Sequence, residues 1–172
     1  MVVTYVRPLP RNISDGSGSA DGPKPGRWDW TVALVSPMLQ GLLRTWRAKC
    51  REDALPARRD FDPLDMRDAL GWLFVVQADP DIDDFRYTLI GTEITEQVGR
   101  DNTGRHVGEV FGQAGLELYR EVRDTRQPVR VWGVVDWLDK EHKSYETLVL
   151  PLADDGHTVD RFIGAMVFGS SR

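Results

Sequence analysis

The polar turn Gly99-Arg100-Asp101-Asn102-Thr103-Gly104-Arg105 holds the densest set of chemically useful side chains in this sequence. Glycines let a backbone turn tightly, and exposed N–H groups beside arginine can hold an anion. Asp101 serves equally well to pair with Arg100 or Arg105, or to cap the turn. The structural role is the stronger of the two, and the turn is the first candidate for contact with a polar or carboxylate ligand. A second cluster, Arg58, Arg59, Asp60, Asp62 and Asp65, reads first as a structural clasp. Asp62 would cap a helix opened by Pro63, and the arginines would pair across the connector. An anion or partner contact is the alternative. Enzymatic chemistry finds less. Catalysis needs a nucleophile with its base, or paired carboxylates in a cleft. Glu93 and Glu96 lie three apart on a solvated helix face, and Glu141-His142 falls in a charged turn. The chain carries no GxSxG, HExxH, P-loop or dinucleotide fingerprint. No catalytic residue is assigned, and the chain is not expected to be an enzyme.

Metal and redox chemistry are also poorly served. His106, His142 and His157 are far apart, and Cys50 is the only cysteine. No metal site and no internal disulfide are expected. A formal net charge of -5 argues against nonspecific binding to nucleic acid or anionic membranes. No apolar run approaches the ~20 residues that span a bilayer, and the first residues lack a secretory h-region. The expected location is the cytoplasm. Asn12-Ile13-Ser14 matches a glycosylation pattern by chance on that reading. A hydrophobic share of 41% is enough for a folded domain with a real core.

The elements that must position these residues follow from pattern. Arg7 to Gly26 is rich in Pro, Gly, Ser and Asp, which predicts a flexible arm over residues 1–27. Trp28 and Trp30 then mark an extended segment with both rings on one face. They are expected to dock on the domain's own core, with an interaction hot spot as the alternative. Ser36 and Pro37 predict a helix start. Leu39, Leu42, Leu43 and Trp46 recur at helical spacing and form one apolar face. That face either packs on its own domain or forms a homodimer or partner contact, for which these four residues are the candidates. Residues 28–53 thus make a linker and N-terminal helix.

Beyond residue 54 the pattern is a short helix from Pro63, strands over 72–78 and 85–90, and helices over 92–98 and 113–125. Three further strands follow, over 128–138, 143–150 and 161–168, joined by hairpin-length turns. The helix at 92 is expected to be capped by Thr92. The 128–138 strand alternates Val129, Val131, Gly133, Val135 and Trp137 on one face with Arg130, Trp132, Val134 and Asp136 on the other. A ligand cavity between sheet and helices would draw on Phe74, Val76, Tyr87, Leu89, Val98, Leu118, Tyr119, Val122, Trp132, Val134, Leu148 and Met166. The same residue types would also fill a solid core.

Several of these motifs together resemble a bacterial family of small single-domain PAS-like proteins. The matching residues are Leu55-Pro56-Ala57-Arg58-Arg59-Asp60-Phe61-Asp62-Pro63, then Phe85-Arg86-Tyr87-Thr88-Leu89-Ile90-Gly91-Thr92, then Gly99 to Arg105. Leu150-Pro151-Leu152, Asp155-Gly156 and Ile163-Gly164 complete the pattern. The resemblance spans about Leu39 to Phe168. It implies an α+β PAS-like fold over 54–172, a five-stranded antiparallel sheet with short crossing helices on one face. It implies sensing or regulation and brings no catalytic residues. PAS subgroups hold a haem through histidine or a flavin through cysteine. Thr92 to Thr125 has no cysteine, and His106 follows a turn, so neither haem nor a covalent flavin is expected and any cofactor is unknown.

These readings converge on a sensor or regulatory protein that binds a small molecule, a signalling protein partner, or both, without an output domain of its own. The candidate ligand contacts are Tyr87, Val98, Arg100, Asp101, Arg105, Leu118, Tyr119, Trp132 and Val134. One competing reading is an adaptor with a filled core, using its sheet face and the tryptophans at 132 and 137. Another is a small enzyme on a cone-shaped α+β fold, whose sign would be a long curved N-terminal helix.

Overall fold

A computed structural model describes residues 26–135 and 143–170. Residues 1–25 of the expected arm, Asp136, Trp137 and the charged turn at 139–142 lie outside the described residues, while Arg27, read as the arm's end, begins a strand. Six strands form one antiparallel sheet: β1 (Arg27–Asp29), β2 (Leu73–Asp79), β3 (Asp84–Ile90), β4 (Val129–Val135), β5 (Lys143–Leu152) and β6 (Arg161–Ser170). Their spatial order is β1-β4-β5-β6-β2-β3. The last three strands make the expected meander, and β2 and β3 make a hairpin against β6. The sheet has one strand more than expected. Trp28 and its neighbours do run extended, but they pair with β4, Trp28 opposite Val131.

Among the described residues three α-helices flank the sheet: α1 (Pro37–Lys49), α2 (Thr92–Val98) and α3 (Val107–Thr125). In α1, Ser36 accepts a hydrogen bond from the Leu39 N–H, Pro37 opens the helix, and Arg47 and Lys49 occupy its last turn. Its apolar face lies on the sheet, beside Leu73, Val75, Leu148, Leu150, Ile163 and Ala165. The Trp46 Nε1–H donates to the Pro151 carbonyl at 3.0 Å. Leu39, Leu42, Leu43 and Trp46 are therefore 0–6% exposed and filled by their own domain. Of the two alternatives read from the sequence, these four residues follow packing on their own domain and not a dimer or partner contact, because the sheet supplies the apolar surface they need.

The segment Pro63–Trp72 is a 3-10 helix, with Asp62 accepting from the Leu64 N–H at 2.8 Å. Its buried residues, Met66 and Ala69, are three apart, which suits three residues per turn. Helix α2 is capped by Gly91 rather than Thr92. A β-carbon at Gly91 would sit 2.2 Å from the Gly71 carbonyl oxygen, so the chain must cross there without a side chain. Helix α3 starts six residues before its expected position. It is broken at Gly112 (φ 62, ψ -157), which splits a short first segment from the longer stretch read in the sequence.

The sheet separates two cores. On the outer face, α1 and the 3-10 segment cover Leu148, Leu150, Ile163 and Ala165. On the inner face, α2 and α3 lie over Phe74, Val76, Phe85, Tyr87, Val149 and Phe162.

Candidate functional site

Strand β5 divides its side chains between the two faces by simple alternation. Glu146, Leu148 and Leu150 face outward, while Tyr145, Thr147 and Val149 face inward and line a cavity. The cavity measures about 560 Å³, within the range that holds small organic ligands. Its walls come from every inner element: Phe74 and Tyr87 from the β2–β3 hairpin, Ile94 and Val98 from α2, and Phe111, Ala114, Leu118 and Tyr119 from α3. Val131, Val149 and Met166 make its floor, and Gly26 and Trp28 close one side.

The wall is apolar with a few fixed polar groups. Burial pushes the Tyr87 phenol far above its ordinary value, a shift opposed by a hydrogen bond from Tyr119. Burial does the same to Tyr119, and the neighbouring Tyr87 adds to it. Both phenols are neutral across the working pH range and act as hydrogen-bonding groups. Tyr145 is raised by burial, with its oxygen taking a hydrogen bond from the Gly26 N–H in opposition. Aromatic packing fixes these rings. Tyr119 meets Phe162 edge-on at 5.0 Å, and Phe74 meets Tyr87 edge-on at 6.3 Å.

The 99–105 turn forms the polar mouth. It is laid along β3: the Gly104 N–H donates to the Tyr87 carbonyl at 2.7 Å, and the Tyr87 N–H to the Arg105 carbonyl at 3.0 Å. Arg105 donates to Glu109 through Nε at 2.8 Å and to Asn102 at 2.9 Å. Its hydrogen bond holds the Glu109 carboxyl below the usual glutamate value. Arg100, Asn102, Arg105 and Glu109 all reach the cavity. Arg100 makes no ion pair among the described residues and is exposed.

The structure thus brings Tyr87, Val98, Arg100, Arg105, Leu118 and Tyr119 to one cavity. Asp101 does not reach it. Its carboxylate accepts from the Thr103 N–H at 2.9 Å, and the Thr103 hydrogen bonds lower its pKa. Trp132 and Val134 are also corrected: they occupy the outward face of β4. Trp132 stacks on the Arg130 guanidinium at 4.4 Å, and Val134 is 52% exposed. Leu148 and Leu89 likewise leave the wall, Leu148 to the α1 core and Leu89 to the surface. Tyr145, Thr147, Val149, Trp28 and Phe111 were missed. The alternation Tyr145, Thr147, Val149 was readable as the opposite face to Leu148. The contribution of Trp28 depends on a pairing 103 positions away in sequence, Trp28 with Val131.

The other cluster is a clasp in its aspartates, while the arginines do not pair across the connector: Arg58 donates to the Phe61 carbonyl and Arg59 turns to Asp154. Asp60 accepts from the Ala57 N–H at 2.8 Å, Asp62 caps the 3-10 helix, and Lys49 bonds Asp65 at 2.8 Å. His106 lies away from the cavity, 3.1 Å from Asp79, whose carboxyl that contact holds low. Cys50 follows α1 on the outer face. Burial raises its thiol to about 11, with Arg47 opposing.

A family model described as PAS domain matches residues 35–167. The chain belongs to the PAS domain family. The sheet order from β4 through β3, with α2 and α3 crossing one face, is the expected PAS arrangement plus β1. Membership carries the family's general role in sensing or regulation. No curated protein matches the sequence. Solved structures of similar fold include the light-state blue-light photoreceptor Aureochrome1 LOV, at 14% identity and TM-score 0.46, over 62% of this chain and 87% of that one. A fungal LOV domain photoreceptor aligns over 80% of this chain and 97% of that one, at 14% identity and TM-score 0.44. An RNA-binding light-oxygen-voltage receptor aligns over 85% of this chain and 38% of that one, at 14% and 0.43. The described lining of the PAS cavity does not fit a covalent flavin or a histidine-held haem. Among the described residues no cysteine or histidine lines it, and Cys50 lies across the sheet. Among the described residues no cluster has the makings of a metal site, and no helix is long and apolar enough to cross a membrane.

Proposed function

We propose that this PAS domain is a cytoplasmic sensor that binds a small organic molecule in the inner cavity and reports it to a protein partner. The cavity itself carries the reading: one face of the sheet is packed solid while the other holds about 560 Å³ lined by every inner element. That volume favours a sensor over an adaptor with a filled core. The cone-shaped enzyme reading loses its sign, since α1 is only 13 residues long and lies flat on the sheet.

The ligand this wall fits has an apolar or aromatic body and an acidic end. The body would lie among Tyr87, Val98, Phe111, Leu118 and Met166, and the acid would meet Arg100 at the mouth. Arg105 is already committed to Glu109 and Asn102, so Arg100 is the cation available for it.

Strand β5 supplies a route to the partner side. Tyr145 and Thr147 touch the cavity, and Glu146 between them anchors α1. Its carboxylate accepts from the Val35 N–H at 2.9 Å and the Ser36 N–H at 2.8 Å. Arg130 donates to the same carboxylate at 2.6 Å and lies 3.7 Å from Asp29 of β1. A ligand that shifts β5 or Trp28 thereby biases the seating of α1, a population shift between two packings. Thermal-shift titration with a panel of aromatic and alicyclic carboxylates, each paired with its amine analogue, tests the ligand class. A fitting acid at about 100 times its Kd should raise Tm by roughly 5–10 °C, and Arg100→Ala should weaken it. Equal responses to acids and amines would remove the Arg100 role, and an unresponsive panel would count against the carboxylate class.

A further inference from the structure

The buried face of α1 is accounted for by the sheet, but its outer face is not. Gln40, Arg44 and Arg47 follow one another at four- and three-residue spacing along that face, and Arg51 continues the line just past the helix end. All four are exposed. The helix contains no acidic residue. Elsewhere eight arginines, Arg59, Arg67, Arg86, Arg105, Arg120, Arg123, Arg130 and Arg161, lie within ion-pair distance of a carboxylate, and the others without one among the described residues, Arg27, Arg58, Arg100 and Arg126, are scattered rather than aligned on one helix. Arg44, Arg47 and Arg51 have no such partner among the described residues. A protein with 27 acidic and 22 basic residues thus keeps three unneutralised cations in one line.

A shallow groove runs beside this line. Val32, Ala33, Leu34 and Leu43 form its apolar part, and Gln40, Arg44 and Arg47 form its rim. The strap over residues 32–34 is held firmly. Asp29 accepts from the Thr31 and Val32 N–H groups at 3.0 and 3.1 Å, and Gln40 donates to the Leu34 carbonyl at 2.8 Å. The groove is preorganised, so an occupant meets little ordering cost on this side.

We propose that this face docks an acidic segment of a partner protein, with carboxylates spaced one helical turn apart and one apolar side chain in the groove. Charge decides against the other occupants. A second copy packed symmetrically on α1 would place Arg44 and Arg47 against their own duplicates, and like charges across an interface are penalised. A nucleic acid would meet the same arginines but would be repelled by the net charge of -5 and would leave the apolar groove unused. The site lies on α1, across the sheet from the cavity, and does not depend on a ligand there.

The test uses the full chain and a labelled 16-residue amphipathic peptide with Glu at helical i, i+4 positions around a leucine. A scrambled peptide of equal charge and a 16-nucleotide RNA serve as controls, all read by fluorescence anisotropy. The patterned peptide should bind, weaken as salt rises, and lose at least about tenfold in affinity to the Arg44→Glu/Arg47→Glu variant. A peptide with Lys in place of Glu should prefer that variant. Backbone NMR shifts on peptide addition should concentrate at 32–34 and 40–47. Absent binding, equal binding of the scrambled peptide or RNA, indifference to the double reversal, or shifts elsewhere would each overturn the proposal. Both reversed residues are exposed, and circular dichroism of the variant verifies its fold.

Discussion

The two faces of this PAS sheet use the same strands for opposite ends. Outward, β5 and β6 present Leu148, Leu150, Ile163 and Ala165, each fully buried under α1. Inward, the same strands present Tyr145, Thr147, Val149 and Met166, and the helices above them leave a cavity. The outer contact is mostly aliphatic, with Trp46 and Phe61 buried in it, and is closed. The inner one is aromatic, carries neutral phenols, and opens at a mouth with arginines. The contrast shows how a small domain divides its labour: one face supplies stability and the other gives up packing and keeps a cavity. Burial of a leucine or isoleucine contributes about 1.5–3 kcal/mol, so leaving a cavity is affordable only when the opposite face is packed well.

This contrast can be broken most severely from the outer side. Trp46→Ala removes a buried indole and its hydrogen bond to Pro151, and should cost about 3–5 kcal/mol in urea unfolding. Phe111→Ala, at a wall already facing empty space, should cost about 1–2 kcal/mol. Equal losses would mean that the faces do not differ.

Enlarging an alanine on each face sharpens the comparison. Ala165→Leu has no room and should cost about 1–3 kcal/mol. Ala114→Leu points at the cavity and should change stability by less than about 1 kcal/mol while abolishing ligand binding.

Glu146 joins the faces, and its effect depends on pH. Burial pushes its carboxyl up, but the Val35 and Ser36 N–H groups and Arg130 outweigh that and hold it below 4.5. A depressed carboxylate stabilises the fold fully above its unfolded value and loses that contribution as pH falls through the folded one. Glu146→Gln should therefore cost about 1–2 kcal/mol at pH 7, measured by urea unfolding. The difference from the parent should shrink below pH 4.5. The smallest effect belongs to the mouth. Arg100→Ala should leave stability within about 0.5 kcal/mol and appear only in the affinity for acidic ligands, measured by calorimetric titration.

Much of this was legible in the sequence where neighbours in space are neighbours along the chain. Ser36-Pro37 and Asp62-Pro63 announce their helices because a cap is a local hydrogen bond. The 99–105 turn was found for the same reason, including the capping role open to Asp101, although Asp101 was also named a ligand contact and does not reach the cavity. The errors are non-local. Alternation in β4 separated Arg130, Trp132 and Val134 from Val129 and Val131, but a strand does not carry the sign of its faces. That sign is set by which side α1 covers and by the stacking of Trp132 on Arg130. The β1 pairing rests on three residues, Arg27 to Asp29, too short a run to show a period. The apolar stripe of α1 was correct as a stripe, and only its neighbour was open. Six of the nine candidate contacts do line the cavity, but whether that space was open or filled could not be read, since wall and filled core call for the same side chains.

The proposed sensor role requires that the inner face be open for a ligand. Native mass spectrometry of the protein purified from its own cell, beside the Ala114→Leu variant purified identically, tests it most directly. One small molecule per chain is expected on the parent, released on unfolding and missing from the variant. A parent that carries nothing, or a mass retained equally by the filled variant, would contradict it.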